Sequence, residues 1–288
     1  GADYFKIVLN VPYMEHNERI ISEEVCSLSA VRKVASMLDL VPSDFIKGDL
    51  LPRGWHFFLL SGNVPRSEIR SDGFPGFGVP IPDLGLPRLV LGGRTVEFLG
   101  DIRIGETLER TSYVASIAEK ESAAGRMAFV KIQHELRNQQ SELLLNEVQT
   151  FILLEASQGK PVLPAGTPIS QEAQAKKSLT PDELQLFQYS ALGFNSHKIH
   201  LDRTYTQAVE GYPNLLVNGG LASLYVTEFL RTQCGLQLVG FQAKHSAPLF
   251  CDDELTLLAN PVDAQNWEVK ICNAHHALAV SIEARVNG

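Results

Sequence analysis

The chain carries the same order of predicted elements twice. A helical pattern covers residues 22–40 and is followed by strand-like runs between 95 and 152; a second helical pattern covers 219–235 and is followed by strand-like runs between 238 and 285. Apolar residues at three- and four-residue steps indicate the helices, and runs rich in β-branched and aromatic residues indicate the strands. One helix followed by an antiparallel sheet is an α+β plan. A repeat on the order of 150 residues implies two similar domains rather than a solenoid.

The ends of the predicted helices carry local signals. Ser22 and Ser27 are both candidate caps of the first helix, which Val41 and Pro42 should end. Residues 180–183 predict another helix start, with a proline at the first helical position and acids in the first turn.

Two irregular segments interrupt these elements. Residues 156–178 are poor in aromatics and rich in Gly, Pro, Ser, Gln and Lys, which is the composition of a linker. We therefore expect an N-terminal domain at 1–155 and a C-terminal domain at 179–288. Residues 61–93 are dense in Gly and Pro, and a loop of that length inside a compact domain is more often functional than idle. We interpret it as a covering loop over a site or an interface.

Composition limits the class of protein and of partner. The hydrophobic share of 44% and the charged share of 20% are typical of a folded, soluble protein. A net charge of −8 without a long basic cluster argues against a nucleic-acid partner. No apolar run approaches the roughly 18–20 residues of a membrane span. Scattered cysteines favour reduced thiols over a disulfide framework or a zinc site, and hence a cytoplasmic location, or the mitochondrial matrix in a eukaryote. They are Cys26, Cys234, Cys251 and Cys272.

A polar stretch before the second helix contains the main candidates for chemistry. His197, His200 and Asp202 fall close together, and Gly219 and Gly220 open the helix soon after. Unpaired N–H groups and the dipole at a helix N-terminus favour negative charge, so a nearby histidine would be a base beside an anion cradle. The alternative is an ordinary loop-to-helix junction with solvated histidines. We expect no metal site, because no fourth ligand stands at a known spacing.

The order of motifs along the chain is similar to that of a known family. Residues 189–202 (YSALGFNSHKIHLD), followed by 208–213 and 215–219, resemble the MaoC-type enoyl-thioester hydratases. More closely, they resemble the branch that contains mesaconyl-C4-CoA hydratase, itaconyl-CoA hydratase and the mitochondrial type 2 hydroxyacyl-thioester dehydratase. The resemblance covers about residues 20–286. The N-terminal motifs that occur in the same order lie at residues 51–56, 65–68, 72–75, 87–88, 92–94 and 101–107.

The resemblance implies a double hot-dog fold, in which each domain wraps an antiparallel sheet around a central helix. It implies a degenerate, substrate-accommodating N-terminal domain and a C-terminal domain that carries the catalytic loop. In the family this loop supplies an Asp and, five residues later, a His, while a glycine at the helix start donates its N–H to the thioester oxygen. These positions hold Asn195, His200 and Gly219. Asn218 stands where a histidine is usual, which marks a reduced activity or an altered specificity.

The activity implied by the resemblance is the addition or removal of water across the α,β double bond of an acyl thioester. Enoyl-CoA and 3-hydroxyacyl-CoA are the general substrates, and a small branched dicarboxylyl-CoA such as mesaconyl- or itaconyl-CoA is included. His200 would serve as base and acid, and Asn195 would orient the water or the carbonyl. The N–H groups of Gly219 and Gly220 would stabilise the enolate oxygen. Asp202 either orients a neighbour or caps the following turn.

Supporting roles, partners and alternatives complete these expectations. His197 and Asn218 are possible supporting residues of the site. The expected partner is the small-molecule thioester, with no nucleic acid, membrane or cofactor, and we expect a homodimer by analogy. The alternative functions are an acyl-CoA thioesterase on the same fold and a non-catalytic acyl-thioester binding protein.

Other polar residues are weaker candidates. His275 and His276 are expected on opposite faces of a strand, so that both cannot line one site. Trp55 and His56 are expected to pack at the covering loop. Basic side chains that are candidates for the phosphates of CoA are Arg53, Arg88, Arg94 and Lys198.

Overall fold

The strands described for this chain belong to one antiparallel sheet. The structure, a computed structural model, describes residues 18–122, 125–159 and 166–287. The strands within these ranges are β1 (Ile20–Val25), β2 (Arg88–Phe98), β3 (Thr107–Ser122), β4 (Gly125–Arg137), β5 (Leu143–Leu154), β6 (Ala175–Leu179), β7 (Leu238–His245), β8 (Leu255–Pro261), β9 (Asn266–Cys272) and β10 (Leu278–Val286). They lie side by side in the order β1-β3-β4-β5-β2-β7-β10-β9-β8-β6.

The two halves of the sheet have the same strand order. In each half the first strand lies at the outer edge, and the second strand lies at the middle of the sheet. There β2 and β7 pair, from Gly93 opposite Lys244 to Glu97 opposite Gly240; we call this pairing the seam. The strands approach so closely that a Cβ on Gly93 would lie 2.7 Å from the carbonyl oxygen of Ala243. The seam therefore needs glycine at this position, and it joins both halves into one continuous sheet.

The longest helix lies at the centre of the molecule. The α-helices of the described ranges are α1 (Leu28–Met37), α2 (Glu183–Leu192), the single turn α3 (Arg203–Tyr205) and α4 (Gly219–Thr232). Every residue of α4 from Leu221 to Leu230 is buried. The helix packs in one hydrophobic cluster with strands of both halves, for example with Leu145 of β5 and Val269 of β9. None of the described helices is long and apolar enough to cross a membrane.

The first helix is shorter than the pattern at residues 22–40 predicts. Residues Ile20–Val25 form β1, in which half-buried and exposed side chains alternate, and this strand pairs with β3. The helix α1 begins after Ser27, whose side chain accepts a hydrogen bond from the Ala30 N–H at 3.1 Å. The cap predicted at Ser27 is therefore confirmed, and the one at Ser22 is wrong.

The region between the halves differs from the prediction in two details. The helix predicted at residues 180–183 is present, but Asp182 is its N-cap and accepts a hydrogen bond from the Gln185 N–H at 2.9 Å. Pro181 therefore precedes the cap and does not occupy the first helical position. The end of the predicted linker 156–178 lies in β6, which pairs with β8. Residues 160–165 of that linker lie outside the described residues, and the domain boundaries stay predictions.

Two strand predictions are corrected. β2 begins at Arg88 rather than at residue 95, because Gly92 forms a register shift inside the strand rather than its boundary. His275 and His276 do not lie in a strand but in the turn between β9 and β10, where the side chain of Asn273 accepts a hydrogen bond from the His275 N–H at 2.9 Å.

Candidate active site

A cavity of about 360 Å³ is lined by residues of both halves and by the N-terminus of α4. This volume lies within the usual range of small-molecule sites. The segment at residues 61–87 forms part of its wall, chiefly through Phe74 and Phe77, which are buried against Phe151 of β5. The prediction of a covering loop is confirmed for this segment, whereas residues from Arg88 onward belong to β2.

His200 is held in one tautomer. It ends a short 3-10 helix, Lys198–His200, and lines the cavity. Its Nδ1 lies 2.7 Å from the carbonyl oxygen of Leu216. A carbonyl can only accept, so Nδ1 carries the proton, and the lone pair of the neutral ring is on Nε2. Burial lowers the pKa of His200 to about 4, although the hydrogen bond to Leu216 raises it in part. At neutral pH this side chain is an uncharged base.

Asn195 lines the same cavity and has one side of its amide fixed. Its backbone N–H donates to the carbonyl of Ser190 at 2.7 Å, and its Oδ1 accepts from the N–H of His197 at 3.1 Å. The Nδ2 group remains as a donor. Asn195 can therefore position a water or a carbonyl oxygen, but it cannot exchange a proton.

The ring of His197 packs against the ring of His200. The two rings are nearly perpendicular with centroids 5.5 Å apart, and the ring of Phe74 also contacts His197, with a centroid distance of 5.9 Å. The Nε2 of His197 is 3.7 Å from Oδ2 of Asp72, which is too long for a hydrogen bond. Burial lowers the pKa of His197 well below its usual value, and the nearby His200 and Arg70 lower it further. His197 is therefore a neutral part of the wall at physiological pH.

Gly219 and Gly220 begin α4 where it meets the cavity. The first N–H groups of a helix have no partner within the helix, and its dipole favours negative charge there. A Cβ on Gly220 would collide with the hydroxyl of Tyr189, and one on Gly219 would lie 2.9 Å from Cδ2 of Leu91. Close packing therefore leaves no room for a Cβ at Gly220, whereas at Gly219 the end of the Leu91 side chain would have to shift. Their backbone donors are suited to an oxygen that gains negative charge.

Asn218 precedes this helix and is buried in the cavity wall. Its side chain makes no capping hydrogen bond; instead its Nδ2 donates to Oγ of Ser190 at 3.1 Å. Its Oδ1 is buried and has no hydrogen-bond partner within the described chain. A buried acceptor without a partner is unusual in a folded protein. Asn218 is therefore a candidate contact for a donor group on a ligand.

Asp202 has a structural role in this arrangement. It is exposed, and its Oδ1 accepts a hydrogen bond from the N–H of Tyr205 at 2.9 Å, which caps α3. Of the two roles predicted for Asp202, this geometry matches the cap. Across the three described ranges, no group of three or more His, Cys, Asp and Glu side chains is arranged to hold a metal ion.

A buried ion pair that the sequence did not reveal lies at another part of the cavity. Arg94 of β2 lines the cavity and binds Glu147 of β5 through two contacts, Nε to Oε1 at 2.7 Å and Nη2 to Oε2 at 3.1 Å. Glu147 also lies 2.6 Å from Nε2 of His56 and accepts from Nε2 of Gln149 at 3.0 Å. Burial disfavours its charge, but Arg94 and His56 hold the pKa of Glu147 well below its usual value. Arg94 is thus buried at the cavity rather than on the surface, and its predicted role at the phosphates of CoA stays a prediction.

His245 is a second cavity residue that sequence reasoning missed. It ends β7, and its Cε1 would lie 3.2 Å from a Cβ on Gly219. Its Nε2 is buried without a hydrogen-bond partner among the described residues. Burial and the charge of Arg94 lower the pKa of His245 to about 4. A histidine from a distant strand thus stands beside the helix start, close to Asn218.

Trp55 and His56 lie in the core rather than only under the covering loop. Nε1 of Trp55 donates to Oε1 of Glu228 in α4 at 2.7 Å, and His56 belongs to the Glu147 cluster. The remaining basic candidates all have protein partners. Arg53 pairs with Asp101, Arg88 with Glu210, and Lys198 donates to the carbonyl of Ser71. A role for these side chains at phosphates stays a prediction.

Comparison with known proteins connects this geometry to a family. A family model described as hydroxyacyl-thioester dehydratase type 2 matches residues 54–251. The mesaconyl-C(4)-CoA hydratase of Chloroflexus aurantiacus is 34% identical over 268 residues, which cover 91% of this chain and 94% of that protein. The mitochondrial hydroxyacyl-thioester dehydratase type 2 of Schizosaccharomyces pombe is 24% identical over 232 residues, which cover 72% of this chain and 77% of that protein.

The fold has solved counterparts. The crystal structure of a MaoC-like dehydratase from Phytophthora capsici matches with a TM-score of 0.69 at 13% identity, over 94% of this chain and 96% of that one. The expected α+β double hot-dog is thereby confirmed. Because the family model spans more than half of the chain and the Chloroflexus protein matches nearly all of it, the chain belongs to the hydroxyacyl-thioester dehydratase type 2 family.

Proposed function

We propose that this protein adds water to the α,β double bond of an acyl thioester, or removes it in the reverse direction, with His200 as the base and acid. One observation carries the proposal. His200 is neutral, its Nδ1 is fixed by Leu216, and it shares a cavity with the start of α4. Both curated relatives are named for this chemistry, one as a hydratase and the other as a dehydratase.

The fixed tautomer of His200 suits it to both proton transfers of the reaction. In the hydration direction Nε2 takes a proton from water as the water oxygen bonds to the β-carbon. The π electrons move toward the thioester carbonyl and form an enolate. The protonated Nε2 then returns its proton to the α-carbon, and the C=O bond is restored. Both transfers use one nitrogen, so the ring needs no rotation that would break its bond to Leu216.

The groups around His200 divide the other tasks. The N–H groups of Gly219 and Gly220 stabilise the enolate oxygen, an effect that is worth a few kcal/mol in comparable sites, about 3–4. The Nδ2 group of Asn195 orients the attacking water or the carbonyl. Asn218, with its unpartnered Oδ1, contacts the substrate or its water, and His197 holds the ring of His200 by packing.

The finer parts of the proposal concern substrate and organisation. The catalytic loop lies in a C-terminal domain at 179–288, joined by residues 156–178 to a substrate-accommodating N-terminal domain at 1–155. The substrate is an enoyl- or 3-hydroxyacyl-CoA, and the name of the Chloroflexus relative supports a small dicarboxylyl-CoA such as mesaconyl- or itaconyl-CoA. A homodimer without a cofactor, in the cytoplasm or the mitochondrial matrix, completes the proposal.

The test is turnover of a panel of enoyl-CoA thioesters. Mesaconyl-C1, mesaconyl-C4, itaconyl, crotonyl and a C8–C10 thioester are mixed with wild type and with His200→Ala, and loss of the conjugated thioester absorbance is followed. We expect hydration of at least one thioester, reduced by a factor on the order of 100 or more in His200→Ala, since general base catalysis contributes about that much. His275→Ala changes an exposed turn histidine and serves as the matched control.

Two results would contradict the proposal. Release of free thiol without hydration would identify a thioesterase on this fold. Tight thioester binding that His200→Ala leaves unchanged, with no turnover of any panel member, would identify a non-catalytic binding protein. Circular dichroism of each variant separates these outcomes from loss of fold.

A further inference from the structure

Arg94 presents unused donors to the cavity. A guanidinium has five N–H donors, and Glu147 engages two of them, which leaves three. Its Nη1 makes no hydrogen bond to any group of the described chain, and the residue lines the cavity. The free edge of Arg94 is therefore available to an acceptor that the protein does not supply.

Glu147 does not provide that acceptor on the cavity side. Its two oxygens already receive Arg94, His56 and Gln149, so its acceptor positions are largely occupied. The contact with Glu147 also fixes the orientation of the Arg94 side chain. The two-point contact holds the plane of the guanidinium in one orientation, and a fixed planar fork is the arrangement that recognises a carboxylate through two parallel hydrogen bonds.

A second side chain points to the same ligand. His245 lies on β7, beside β2 across the seam, and its buried Nε2 has no hydrogen-bond partner in the described ranges. It lies against Gly219 at the start of α4, where the thioester oxygen is placed by the proposed mechanism. A cation with a free edge and an unpartnered imidazole thus line the same cavity as the start of α4.

We propose that Arg94 and His245 recognise a carboxylate on the acyl group of the substrate, and so select dicarboxylyl thioesters over neutral ones of equal length. This inference rests on the proposed function for the orientation of the thioester. A neutral alkyl chain would leave the free donors of Arg94 unpaired, which penalises it. A carboxylate on the acyl chain accepts from Arg94, and also from His245 when the unpartnered Nε2 carries the ring proton.

The binding test uses two saturated thioesters that the enzyme cannot hydrate. Succinyl-CoA and butyryl-CoA both have four-carbon acyl chains, and they differ in the carboxylate at the far end. We expect wild type to bind succinyl-CoA about tenfold or more tightly, as judged by calorimetry, since hydrogen bonds between charged groups discriminate by about this factor. Equal binding of the two, or tighter binding of butyryl-CoA, would overturn the proposal.

The variants remove the recognition without leaving an isolated buried charge. Arg94→Gln with Glu147→Gln removes both charges of the pair, and we expect it to lose the preference for succinyl-CoA over butyryl-CoA. Arg231→Gln with Glu228→Gln is the matched control. That pair on α4 also has two contacts, both at 2.8 Å, and neither residue lines the cavity. It should keep the preference, and loss of the preference in the control as well would count against the proposal.

A second variant tests the proposal if the Arg94→Gln, Glu147→Gln protein does not fold. His245→Leu keeps the Arg94–Glu147 pair, and it should reduce the preference for succinyl-CoA several-fold. An unchanged preference in a folded His245→Leu protein would remove His245 from the proposal. Turnover separates this inference from the proposed function. If wild type hydrates nothing, the proposed function fails, while the two saturated thioesters still decide whether the carboxylate is recognised.

Discussion

One carbonyl group, that of Leu216, determines which nitrogen of His200 is free to react. The same burial that makes this contact possible lowers the pKa of the ring to about 4. At neutral pH the ring is therefore entirely in its uncharged form. A solvated histidine, with an ordinary pKa of about 6.5, would instead be partly protonated to the cation. This difference leads to a prediction about pH.

We predict that kcat/KM on its acidic side stays level down to about pH 5 and falls only as pH approaches 4, where His200 becomes protonated and ceases to act as a base. The measurement is kcat/KM for the preferred enoyl-CoA between pH 4 and 8, with circular dichroism at each pH to verify the fold. A half-maximal value near pH 6.5 in folded protein would show that His200 is solvated and contradict the site described above.

Gly220 gives a second test at the level of one residue. Its place in α4 leaves no room for a Cβ, because the hydroxyl of Tyr189 occupies that space. Tyr189 is itself stacked on Phe57 with ring centroids 4.3 Å apart, so it cannot move easily. We predict that Gly220→Ala lowers kcat/KM at least about tenfold, since a displacement of about 1 Å can cost that much or more. Alanine favours helices over glycine by about 1 kcal/mol, so weakened helix propensity cannot explain a loss.

The companion variant identifies the cause. Gly220→Ala combined with Tyr189→Phe removes the hydroxyl that meets the new methyl group, and we expect it to recover much of the lost activity. If the double variant is as impaired as Gly220→Ala, the collision with Tyr189 is not the reason. Thermal unfolding of both proteins, followed alongside the kinetics, shows whether the packing of α4 has changed.

Among the elements, the short helix α3 shows how a candidate catalytic residue can prove structural. Asp202 caps it through the N–H of Tyr205. We predict that Asp202→Ala costs about 1 kcal/mol of stability, because a capping acceptor is lost, and that Asp202→Asn costs little, because Asn is an equally good cap. Neither should change kcat more than about twofold. A large fall in kcat for a stable Asp202→Asn protein would restore Asp202 to the catalytic set.

The elements that the sequence predicts well are those whose signals are local. The helix α4 and the strands β7 to β10 follow apolar periodicity and glycine boundaries, and their observed limits lie within a few residues of the expected ones. The prediction of a helix from residue 22 was wrong because β1 is stabilised by pairing with β3, some 80 or more residues away in the sequence. The apolar residues of β1 continue the helical spacing of α1 only by coincidence. Periodicity within one segment cannot show a partner strand.

The same limit applies to the site. The loop containing Asn195 and His200 and the glycines of α4 are near each other in sequence, and the family resemblance identifies them. Arg94 and His245 come from strands that meet only at the seam, and Glu147 comes from β5. One sequence contains no record of these contacts. The sequence does contain one signal for this ion pair, which is a charged residue inside an otherwise apolar strand, as at Arg94 and Glu147.

For the molecule as a whole, buried histidines make stability depend on pH. Burial lowers the pKa of His134, His197, His200 and His245, and three of these values are about 4. In the unfolded chain each is near 6.5. The unfolded state therefore binds more protons between about pH 4 and 6.5, so this stability is complete above 6.5 and is lost as pH falls toward 4.

We predict that the free energy of unfolding falls by about 2 kcal/mol for each of His134 and His200 between pH 7.5 and pH 5. Urea titrations at the two pH values, followed by fluorescence, measure the change. Equal stability at both pH values would mean that these rings are hydrated or charged in the folded protein. A reduced pH dependence in a folded His134→Gln variant would assign part of the effect to that residue.

The seam also limits how the cavity can change during evolution. A strand that slips by one residue turns all of its side chains to the opposite face, so a neighbouring strand can be displaced only in steps of two. Arg94 lies opposite Ala243, two residues before His245 along β7. Their separation cannot be tuned by gradual sliding of one half against the other. Adaptation to a longer or differently charged substrate must therefore proceed by substitution of side chains at fixed positions of the sheet. New substrate specificities should accordingly arise from single substitutions rather than from gradual movement of the strands.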